Sequence, residues 1–246
     1  MKMRIAIVDG RIPGAMSRAL ACRGFRVIEL PPSPRLGTAV SGHPDMLISR
    51  IGGEMITTAD YCELAGAEIS EIFDALHEKF HFTADIHEAE YPKDVIFNAL
   101  VMGKRIFARL DSLSEYLKAL AEQKGYELIN TKQGYPACTA LRLSDEAVIT
   151  ADEGMARVLS EYGIRVYKIS PGGISLPPHE YGFIGGAASV HGGTVYFLGD
   201  AREHPSYPEI EAALCSEGLN AVMLGDGALL DLGGIIFAEG IDKNNA

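Results

Sequence analysis

The same arrangement of apolar and polar positions recurs along the chain: the apolar end of a helix, a glycine-containing turn, and an apolar strand. Gly24, Gly125, Gly163 and Gly218 mark four copies, and a fifth copy near Leu76 lacks the glycine. Glycine is favoured just past a helix because it adopts the left-handed backbone conformation without a clash of Cβ. The pattern therefore predicts five helix–turn–strand repeats.

A second pattern precedes the helices and consists of two short apolar segments joined by a tight polar turn. Glycine, serine and aspartate in these turns supply the backbone angles that hairpins need. The pattern predicts antiparallel strand pairs at residues 46–49 with 55–58, 99–102 with 105–108, 139–143 with 147–150, and 187–190 with 194–198. Each unit is therefore expected to run strand, strand, helix, strand.

The fifth unit is divided between the two ends of the sequence. Residues 3–8, 15–22 and 25–30 supply a strand, a helix and a final strand, so the first strand of this unit is expected at residues 232–238. Five units share 246 residues, an average of 246/5 ≈ 49 residues each. We expect a closed ring that protects its sheet edges, as propellers do. An ordinary two-layer α/β sheet is the alternative, because it gives a similar alternation.

A single domain over residues 1–246 is predicted, because the segments that join the units are short. Proline-rich stretches at residues 31–34 and 171–178 are predicted to be rigid loops and not domain boundaries. The units would span approximately residues 228–246 together with 1–38, then 39–90, 91–132, 133–178 and 179–227.

Composition and charge narrow the function classes. The chain has 22 basic and 33 acidic side chains, a formal charge of 22 − 33 = −11 that would repel the phosphates of nucleic acid. No apolar run approaches the roughly 20 residues of a membrane-spanning helix, so neither a nucleic acid nor a membrane is expected as a partner. Cys22, Cys62, Cys138 and Cys215 show no CxxC spacing, which favours a reducing, cytoplasmic location.

Five strand–strand–helix–strand units around a pseudo-fivefold axis resemble the pentein fold, the α/β propeller of enzymes that modify guanidino groups. That superfamily includes arginine deiminases, dimethylarginine hydrolases, agmatine deiminases and amidinotransferases, together with a non-catalytic branch that binds ribosomes. The resemblance implies an active site where the first strand of each unit enters the central channel. In this sequence those positions hold Asp45, Asn98, Cys138, the pair Gly185 and Gly186, and the pair Gly233 and Gly234.

The catalytic members of that superfamily carry a carboxylate beside a glycine pair, a His-x-Asp motif about one unit later and a cysteine about two units after that. Asp231 precedes a glycine pair here, residues 43–45 read His-Pro-Asp, and Cys138 follows His43 by 138 − 43 = 95 residues. The cyclic order matches, although the linear order is rotated and Cys138 lacks the glycine-rich lead of the familiar enzymes. The resemblance implies Cys138 as nucleophile, His43 as acid and base, and Asp231 as the carboxylate that orients it. Asp45 would clamp the guanidinium.

Acidic and amide side chains near the expected channel mouth extend this site. Asp94 or Asn98 would hold the guanidinium together with Asp45, and Asp226 adds another acid. Converging acids favour a cationic ligand over an anionic one. Acids before strands are also common as solvated turn residues, so both interpretations stay open.

His179 and Glu180 precede another first strand and offer an alternative assignment. His179 would replace His43 in proton transfer, or Glu180 would supply a carboxylate to the substrate. Lys132 is a candidate for binding a carboxylate of the substrate. Cys138 has a structural alternative too, because an unpaired cysteine is often a small buried core residue.

The first functional hypothesis is an enzyme that modifies a small guanidine or amidine, in the manner of a deiminase, a hydrolase or an amidinotransferase. This chemistry needs a thiolate, an imidazole that moves protons and carboxylates that hold the cation. It needs no metal or organic cofactor, and the other histidines lack metal-ligand spacing. The alternative is a non-catalytic protein of the same fold that binds a small ligand or a protein at the channel mouth. A phosphate-binding turn at residues 10–14 is a weaker hypothesis, because the Gly-x-Gly-x-x-Gly spacing is absent.

Overall fold

The computed structural model describes residues 2–76 and 79–241, and its strands form small sheets. In chain order the strands are β1 (Lys2–Asp9), β2 (Phe25–Leu30), β3 (Ser49–Ile51), β4 (Glu54–Thr58), β5 (Lys79–Thr83), β6 (Leu100–Met102), β7 (Arg105–Ala108), β8 (Glu127–Asn130), β9 (Ala140–Arg142), β10 (Ala147–Thr150), β11 (Arg165–Lys168), β12 (Ile174–Ser175), β13 (Ala188–His191), β14 (Thr194–Phe197), β15 (Asn220–Met223), β16 (Leu229–Leu230) and β17 (Ile236–Ile241). The helices are α1 (Gly14–Cys22), α2 (Pro44–Leu47), α3 (Ala59–Leu64), α4 (Gly66–Leu76), α5 (Glu115–Gln123), α6 (Pro136–Thr139), α7 (Glu153–Glu161) and α8 (Tyr207–Ser216), with a 3-10 turn at Ala201–Glu203.

Within the described residues, five sheets have three strands and the same internal plan: β17-β1-β2, β3-β4-β5, β6-β7-β8, β9-β10-β11 and β13-β14-β15. In each sheet the first two strands are antiparallel, and the third returns parallel to the middle strand after a helical segment. A sixth, two-stranded sheet pairs β12 with β16 in parallel. The protein is therefore a mixed α/β protein built from small sheets.

One of these sheets joins distant parts of the sequence. Strand β17 runs antiparallel to β1, with Met3 opposite Gly240 and Ile7 opposite Ile236. Strand β2 pairs with the other edge of β1 in parallel. The strand expected at residues 232–238 therefore forms a few residues later, at β17.

The middle strand of each sheet is the most deeply buried, because both of its edges and both of its faces are covered. All four residues of β10 are buried, which fits its mostly apolar sequence, Ala-Val-Ile followed by Thr150. The helices bury a stripe on one side; α7 buries Met155, Ala156 and Leu159 while its remaining face meets solvent. No helix in residues 2–76 and 79–241 combines the length and apolar character needed to cross a membrane.

The glycines expected at helix ends adopt the backbone conformation that motivated the prediction. The φ angles of Gly24, Gly125, Gly163 and Gly218 are +82°, +71°, +78° and +66°. Other residue types rarely adopt this left-handed region, so glycine ends α1, α5, α7 and α8 without strain. The prediction of these four turns is confirmed.

Two segments differ from the predicted strands in a way that shapes the site. Strands were expected at residues 46–49 and 139–143, but the chain first forms the single-turn helices α2 and α6. Pro44 and Pro136 begin these turns, because proline has a helical φ and lacks only an N–H that the first turn leaves unused. The antiparallel strands β3 and β9 follow directly afterwards. Each short helix turns a polar side chain toward the interior before its strand begins.

Candidate active site

The side chains of Cys138 and Asp45 meet where the two single-turn helices approach each other. The Cys138 thiol donates a hydrogen bond to Asp45, with 2.7 Å between Sγ and Oδ2. Asn98 lies beside both groups: its Nδ2 is 3.0 Å from Asp45 Oδ2 and 3.2 Å from Cys138 Sγ. The other end of this amide is fixed, because Asn98 Oδ1 accepts a hydrogen bond from the Ala137 backbone at 2.9 Å. Asn98 therefore holds both the acid and the thiol in place.

His43 precedes α2 and completes the cluster. Its side chain is 1% exposed, and neither ring nitrogen has a hydrogen-bond partner among the described residues. Its Nδ1 lies 3.9 Å from Asp231 Oδ1, beyond hydrogen-bond distance. One ligand atom each of His43, Asp45 and Cys138 lies within 4.8 Å of the others. The imidazole is thus near the thiol, at a separation that one water or a bound ligand could bridge for proton transfer.

Asp231 is held rigidly by backbone groups. Its Oδ2 accepts from the Phe183 N–H at 2.8 Å, and its Oδ1 accepts from the Gly233 N–H at 3.2 Å. Glycine at 186 makes room for this carboxyl, since a Cβ there would lie 1.9 Å from Asp231 Oδ1. At position 233, where φ is +70°, a Cβ would lie 2.4 Å from His43 Cβ. Neighbouring glycines therefore allow His43 and Asp231 to pack this closely.

Burial dominates the electrostatics of this cluster. Loss of solvent raises the pKa of Asp45 to about 7 and that of Asp231 to about 6. Burial lowers the pKa of His43 to about 4. The pKa of the Cys138 thiol is raised well above its ordinary value by burial and by the charges of Asp45 and Asp231. At neutral pH this cluster therefore contains a neutral imidazole and a protonated thiol.

A cavity of about 500 Å³ opens onto this cluster, and we call it the main cavity. Cys138, His43 and Asp231 line it, and so do His179 and Glu180 from the loop that follows β12. Its other lining residues are Val40, Tyr91, Gln133, Tyr135, Leu176, Tyr181 and Phe183. The main cavity therefore brings together both histidines that the sequence offered for proton transfer.

Asp45 lies on the far side of Cys138 from the main cavity. It does not line the main cavity; it lines a second cavity of about 300 Å³ together with Gly185, Gly233 and Gly234. Its Oδ1 is buried and has no hydrogen-bond partner among the described residues. The Cys138–Asp45 contact therefore lies between the two cavities, and the expected clamp residue contacts the thiol directly.

Asp94 is buried and lies behind an aromatic wall of the main cavity. The Tyr135 hydroxyl donates a hydrogen bond to Asp94 Oδ2, while Oδ1 is without a partner among the described residues. Burial raises the pKa of Asp94. The ring of Tyr135 stacks on that of Tyr91 with 5.7 Å between their centroids. Asp94 therefore positions an aromatic side chain and does not itself line the main cavity.

Two further residues expected at the site, Asp226 and Lys132, also lie outside the main cavity. Asp226 is exposed and lines neither of the two cavities described above. Lys132 is exposed and lines a neighbouring cavity of about 610 Å³, which also contains Arg157. That neighbouring cavity shares Tyr91 and Gln133 with the main cavity.

The sequence analysis missed an ion pair that fixes the loop before His43. Asp9, at the end of β1, is fully buried, and its Oδ2 is 2.5 Å from Arg11 Nη2. Arg11 also donates hydrogen bonds to the backbone carbonyls of Thr38 and Ala39. Gly42 gives Asp9 its space, because a Cβ there would lie 2.4 Å from Asp9 Oδ1. An acid that directly follows a buried strand was the available sequence signal.

The described residues that could bind a metal ion together are His43, Asp45 and Cys138. Thiolate, imidazole and carboxylate are the ligands that Zn²⁺ accepts, and three protein ligands leave a fourth position open. Two of these potential metal ligands, Cys138 Sγ and Asp45 Oδ2, lie 2.7 Å apart and are joined by a hydrogen bond. The thiol would have to lose its proton before it could bind a metal.

Solved structures of three enzymes show the same fold. Dimethylarginine dimethylaminohydrolase from Pseudomonas aeruginosa, solved as a variant with citrulline, is similar over 92% of this chain and 91% of its own, with a TM-score of 0.55 and 13% identity. Inosamine-phosphate amidinotransferase from Streptomyces griseus is similar over 89% and 78% of the two chains, with a TM-score of 0.51 and 16% identity. An amidinotransferase of saxitoxin biosynthesis from Microseira wollei is similar over 85% and 72%, with a TM-score of 0.52 and 12% identity.

These similarities show that the chain has the pentein fold, as the resemblance in the sequence implied. No curated protein matches the sequence. A family model described as "Family of unknown function (DUF6873)" matches residues 7–236, and the chain therefore belongs to this family.

Proposed function

We propose that this protein is a cysteine-dependent enzyme that hydrolyses a guanidine or amidine, or transfers its amidino group. The observation that carries the proposal is the contact of the Cys138 thiol with Asp45, within reach of His43 and at the wall of the main cavity. The names of the structurally similar enzymes, a dimethylaminohydrolase and two amidinotransferases, describe chemistry of this kind. We also infer that the five three-stranded sheets form one domain, arranged around a common axis as a five-unit propeller.

A guanidinium in the main cavity would meet Asp231 on one side and Cys138 on another. Its positive charge would lower the pKa of the thiol and of both neighbouring acids, because opposite charges stabilise the ionised form. Such a ligand would therefore supply the activation that the buried, acid-flanked thiol does not have by itself. Asp45 contacts the Cys138 thiol on the side away from the main cavity. We therefore assign Asp45 to receive or share the thiol proton, and not to bind the guanidinium as the sequence suggested.

The reaction would proceed through a covalent intermediate. The Cys138 thiol gives its proton to His43, directly or through Asp45, and the sulfur attacks the planar carbon. A C–S bond forms and a C–N bond breaks, and His43 returns that proton to the nitrogen that leaves. Water or an acceptor amine then attacks the same carbon, the C–S bond breaks, and the proton lost by the attacking group passes through His43 to the departing Cys138 thiolate. Water would yield a urea-type product, whereas an amine would yield a new guanidine.

The proposal is tested by trapping the intermediate. The protein is incubated with a panel of alkylguanidines and amidines, quenched in acid, and digested for peptide mass spectrometry. We expect an amidino adduct on the peptide that contains Cys138, and amine released at a matching rate. Cys138→Ala should abolish both signals, and Cys62→Ala should leave both unchanged. Absence of an adduct, of product and of binding for every compound would refute the proposal.

The raised pKa of Cys138 favours a second candidate, a binding protein that uses the same cavity without catalysis. In that case a guanidine would bind the wild-type protein and Cys138→Ala with similar affinity, and no product would form.

The four cysteines are unpaired, which fits the reducing, cytoplasmic location expected from the sequence. Cellular fractionation would test that location.

A further inference from the structure

The neighbouring cavity of about 610 Å³ is lined by two basic side chains, Lys132 and Arg157. Both side chains are exposed, and neither has an ion-pair partner within the part of the chain that the structure describes. A nearby cation on β11 is paired, since Lys168 binds Glu153 at the start of α7. A cleft that holds charges of one sign attracts ligands of the opposite sign. Two unpaired cations in one cavity, on a chain of formal charge −11, therefore indicate a site for an anion.

One acid, Asp152, also lines this cavity, but both of its carboxylate oxygens are engaged by neighbouring groups. Its Oδ1 accepts from the Met155 N–H at 2.7 Å, where Asp152 caps the N-terminus of α7. Its Oδ2 accepts from Gln133 Nε2 at 2.7 Å. The charges of this cavity that remain unpaired are therefore the positive charges of Lys132 and Arg157.

We propose that the neighbouring cavity binds the phosphate group of a phosphorylated small molecule, with Lys132 and Arg157 as its cationic contacts. A phosphate monoester carries close to two negative charges at neutral pH, so it matches two cations better than a single carboxylate does. Arginine binds phosphate oxygens through two N–H groups at once, and lysine binds them as a point charge. Asn130 lines the same cavity; its Oδ1 accepts from the Leu110 N–H at 3.0 Å, which leaves its amide nitrogen as a donor for the ligand.

The rest of the lining suits the body of such a molecule. The volume of about 610 Å³ lies in the ordinary range of small-molecule sites and is larger than a phosphate group alone would fill. Val158 supplies apolar surface, and the ring of Tyr91, 48% exposed, supplies aromatic surface. Tyr91 and Gln133 line both cavities, whereas Cys138 lines the main cavity and not this one. The inference therefore goes beyond the chemistry proposed for Cys138 and does not depend on it.

The test compares molecules that differ only by a phosphate group. Ribose 5-phosphate and ribose, and likewise AMP and adenosine, are titrated into the wild-type protein by calorimetry in a buffer without phosphate. An exposed ion pair contributes up to about a fivefold change in affinity, so two pairs contribute up to about twenty-five-fold. We expect at least one ester to bind about tenfold or more tightly than its parent alcohol. This preference should shrink at high salt, because exposed charges are screened.

Variants identify the groups responsible. Lys132→Gln and Arg157→Gln should each weaken the binding of the ester about three- to fivefold and leave the parent alcohol unchanged. Lys132→Arg keeps the charge and should keep most of the affinity. Arg18→Gln is the matched control, because Arg18 on α1 is also exposed, has no ion-pair partner among the described residues and lines none of the three cavities. It removes the same charge and should change nothing.

Acetylation of lysines by an N-hydroxysuccinimide ester locates the bound phosphate. A saturating concentration of the phosphate ester should slow the acetylation of Lys132 several-fold, as measured by peptide mass spectrometry. Lys79, an exposed lysine on β5 that lines none of the three cavities, should react at the same rate with and without the phosphate ester.

Equal binding of both esters and their parent alcohols would overturn this inference. A preference for the ester that Lys132→Gln and Arg157→Gln leave unchanged would overturn it as well, and so would protection of Lys79 without protection of Lys132. None of these measurements involves a guanidine or the Cys138 thiol, so the proposed function stands or fails separately.

Discussion

The thiol of Cys138 donates its hydrogen bond to the carboxyl of Asp45, with 2.7 Å between Sγ and Oδ2. A thiolate would stand against this carboxylate and against Asp231 in a buried setting, so the contact favours the protonated thiol. A cysteine nucleophile usually needs an activated thiol of low pKa, and this buried, acidic setting does not provide one by itself. Under the proposed function, activation would come from the positive charge of the substrate.

The first prediction concerns the reactivity of this thiol. Iodoacetamide should alkylate Cys138 at pH 7.5 at least about tenfold more slowly than the exposed Cys215, since each unit of raised pKa lowers the thiolate fraction tenfold. Asp45→Asn should speed the alkylation of Cys138 several-fold because one negative charge is removed. Asp94→Asn, a buried acid that does not contact the thiol, should not. Peptide mass spectrometry gives each rate, and rapid labelling of wild-type Cys138 at pH 7.5 would contradict this account.

The second prediction concerns stability and pH. The pKa of Asp45 is about 7 in the folded protein, against an ordinary value of 3.8 for an exposed aspartate. Between these values the folded state holds a proton that the unfolded state has lost, so this group makes folding less favourable as pH rises from about 4 to 7. Asp45→Asn removes that penalty, and its gain in unfolding free energy should be about 2–3 kcal/mol larger at pH 8 than at pH 5.

Urea unfolding of both proteins at the two pH values measures this difference. Burial of His43 has the opposite pH dependence, because its lowered pKa makes folding more favourable as pH rises from about 4 to 6.5. That term is shared by wild type and variant and cancels between them. An identical gain at pH 5 and pH 8 would show that Asp45 has an ordinary pKa.

The third prediction concerns Gly186. An alanine Cβ would lie 1.9 Å from Asp231 Oδ1, and Asp231 is held by two backbone hydrogen bonds, so the carboxyl cannot move freely. Gly186→Ala should cost about 1–3 kcal/mol of stability, as overpacked interiors do. It should also abolish guanidine binding. Gly66→Ala is the control, because nothing lies within 4 Å of its Cβ; it should be neutral or slightly stabilising in α4. Denaturation midpoints of the two variants decide the matter.

The fourth prediction concerns the pair of Asp9 and Arg11. Arg11→Met would leave the fully buried Asp9 carboxylate without its partner and free the carbonyls of residues 38 and 39. We expect a loss of about 2–4 kcal/mol. The double variant Asp9→Asn with Arg11→Met should recover part of it, because the unpaired charge is then absent. Equal losses in the single and double variants would mean that the ion pair contributes only packing.

Local sequence patterns predicted the helix ends and most hairpins because the causes of these features are local. A glycine past a helix and a polar hairpin turn act over a few residues, and Gly24 and Gly218 mark real helix ends. The polar residues brought together at His43, Asp45 and Cys138 were identified through a resemblance to known enzymes. The same patterns missed the helical turns that Pro44 and Pro136 begin, because apolar residues in one turn look like the start of a strand.

Contacts between distant residues could not be predicted in the same way. Nothing near Asp226 or Lys132 in the sequence indicates that they lie outside the main cavity. The burial of Asp9 depends on the loop around Gly42, more than 30 residues later. Asp45 contacts the Cys138 thiol on the side away from the main cavity. This contact depends on how α2 and α6 approach each other across the interior. Single-sequence patterns carry no information about such distances.

At this site, the positions that only glycine can occupy tolerate fewer substitutions than the acidic positions do. Asp231 could be exchanged for asparagine with little change of volume, whereas any other amino acid at Gly182, Gly186 or Gly233 would occupy space already filled by Asp231 or His43. Glycines contribute no charge and no nucleophile, so a search for reactive residues overlooks them. When sequences of this family are compared, glycine at the three corresponding positions shows which members have room for the side chains of Asp231 and His43.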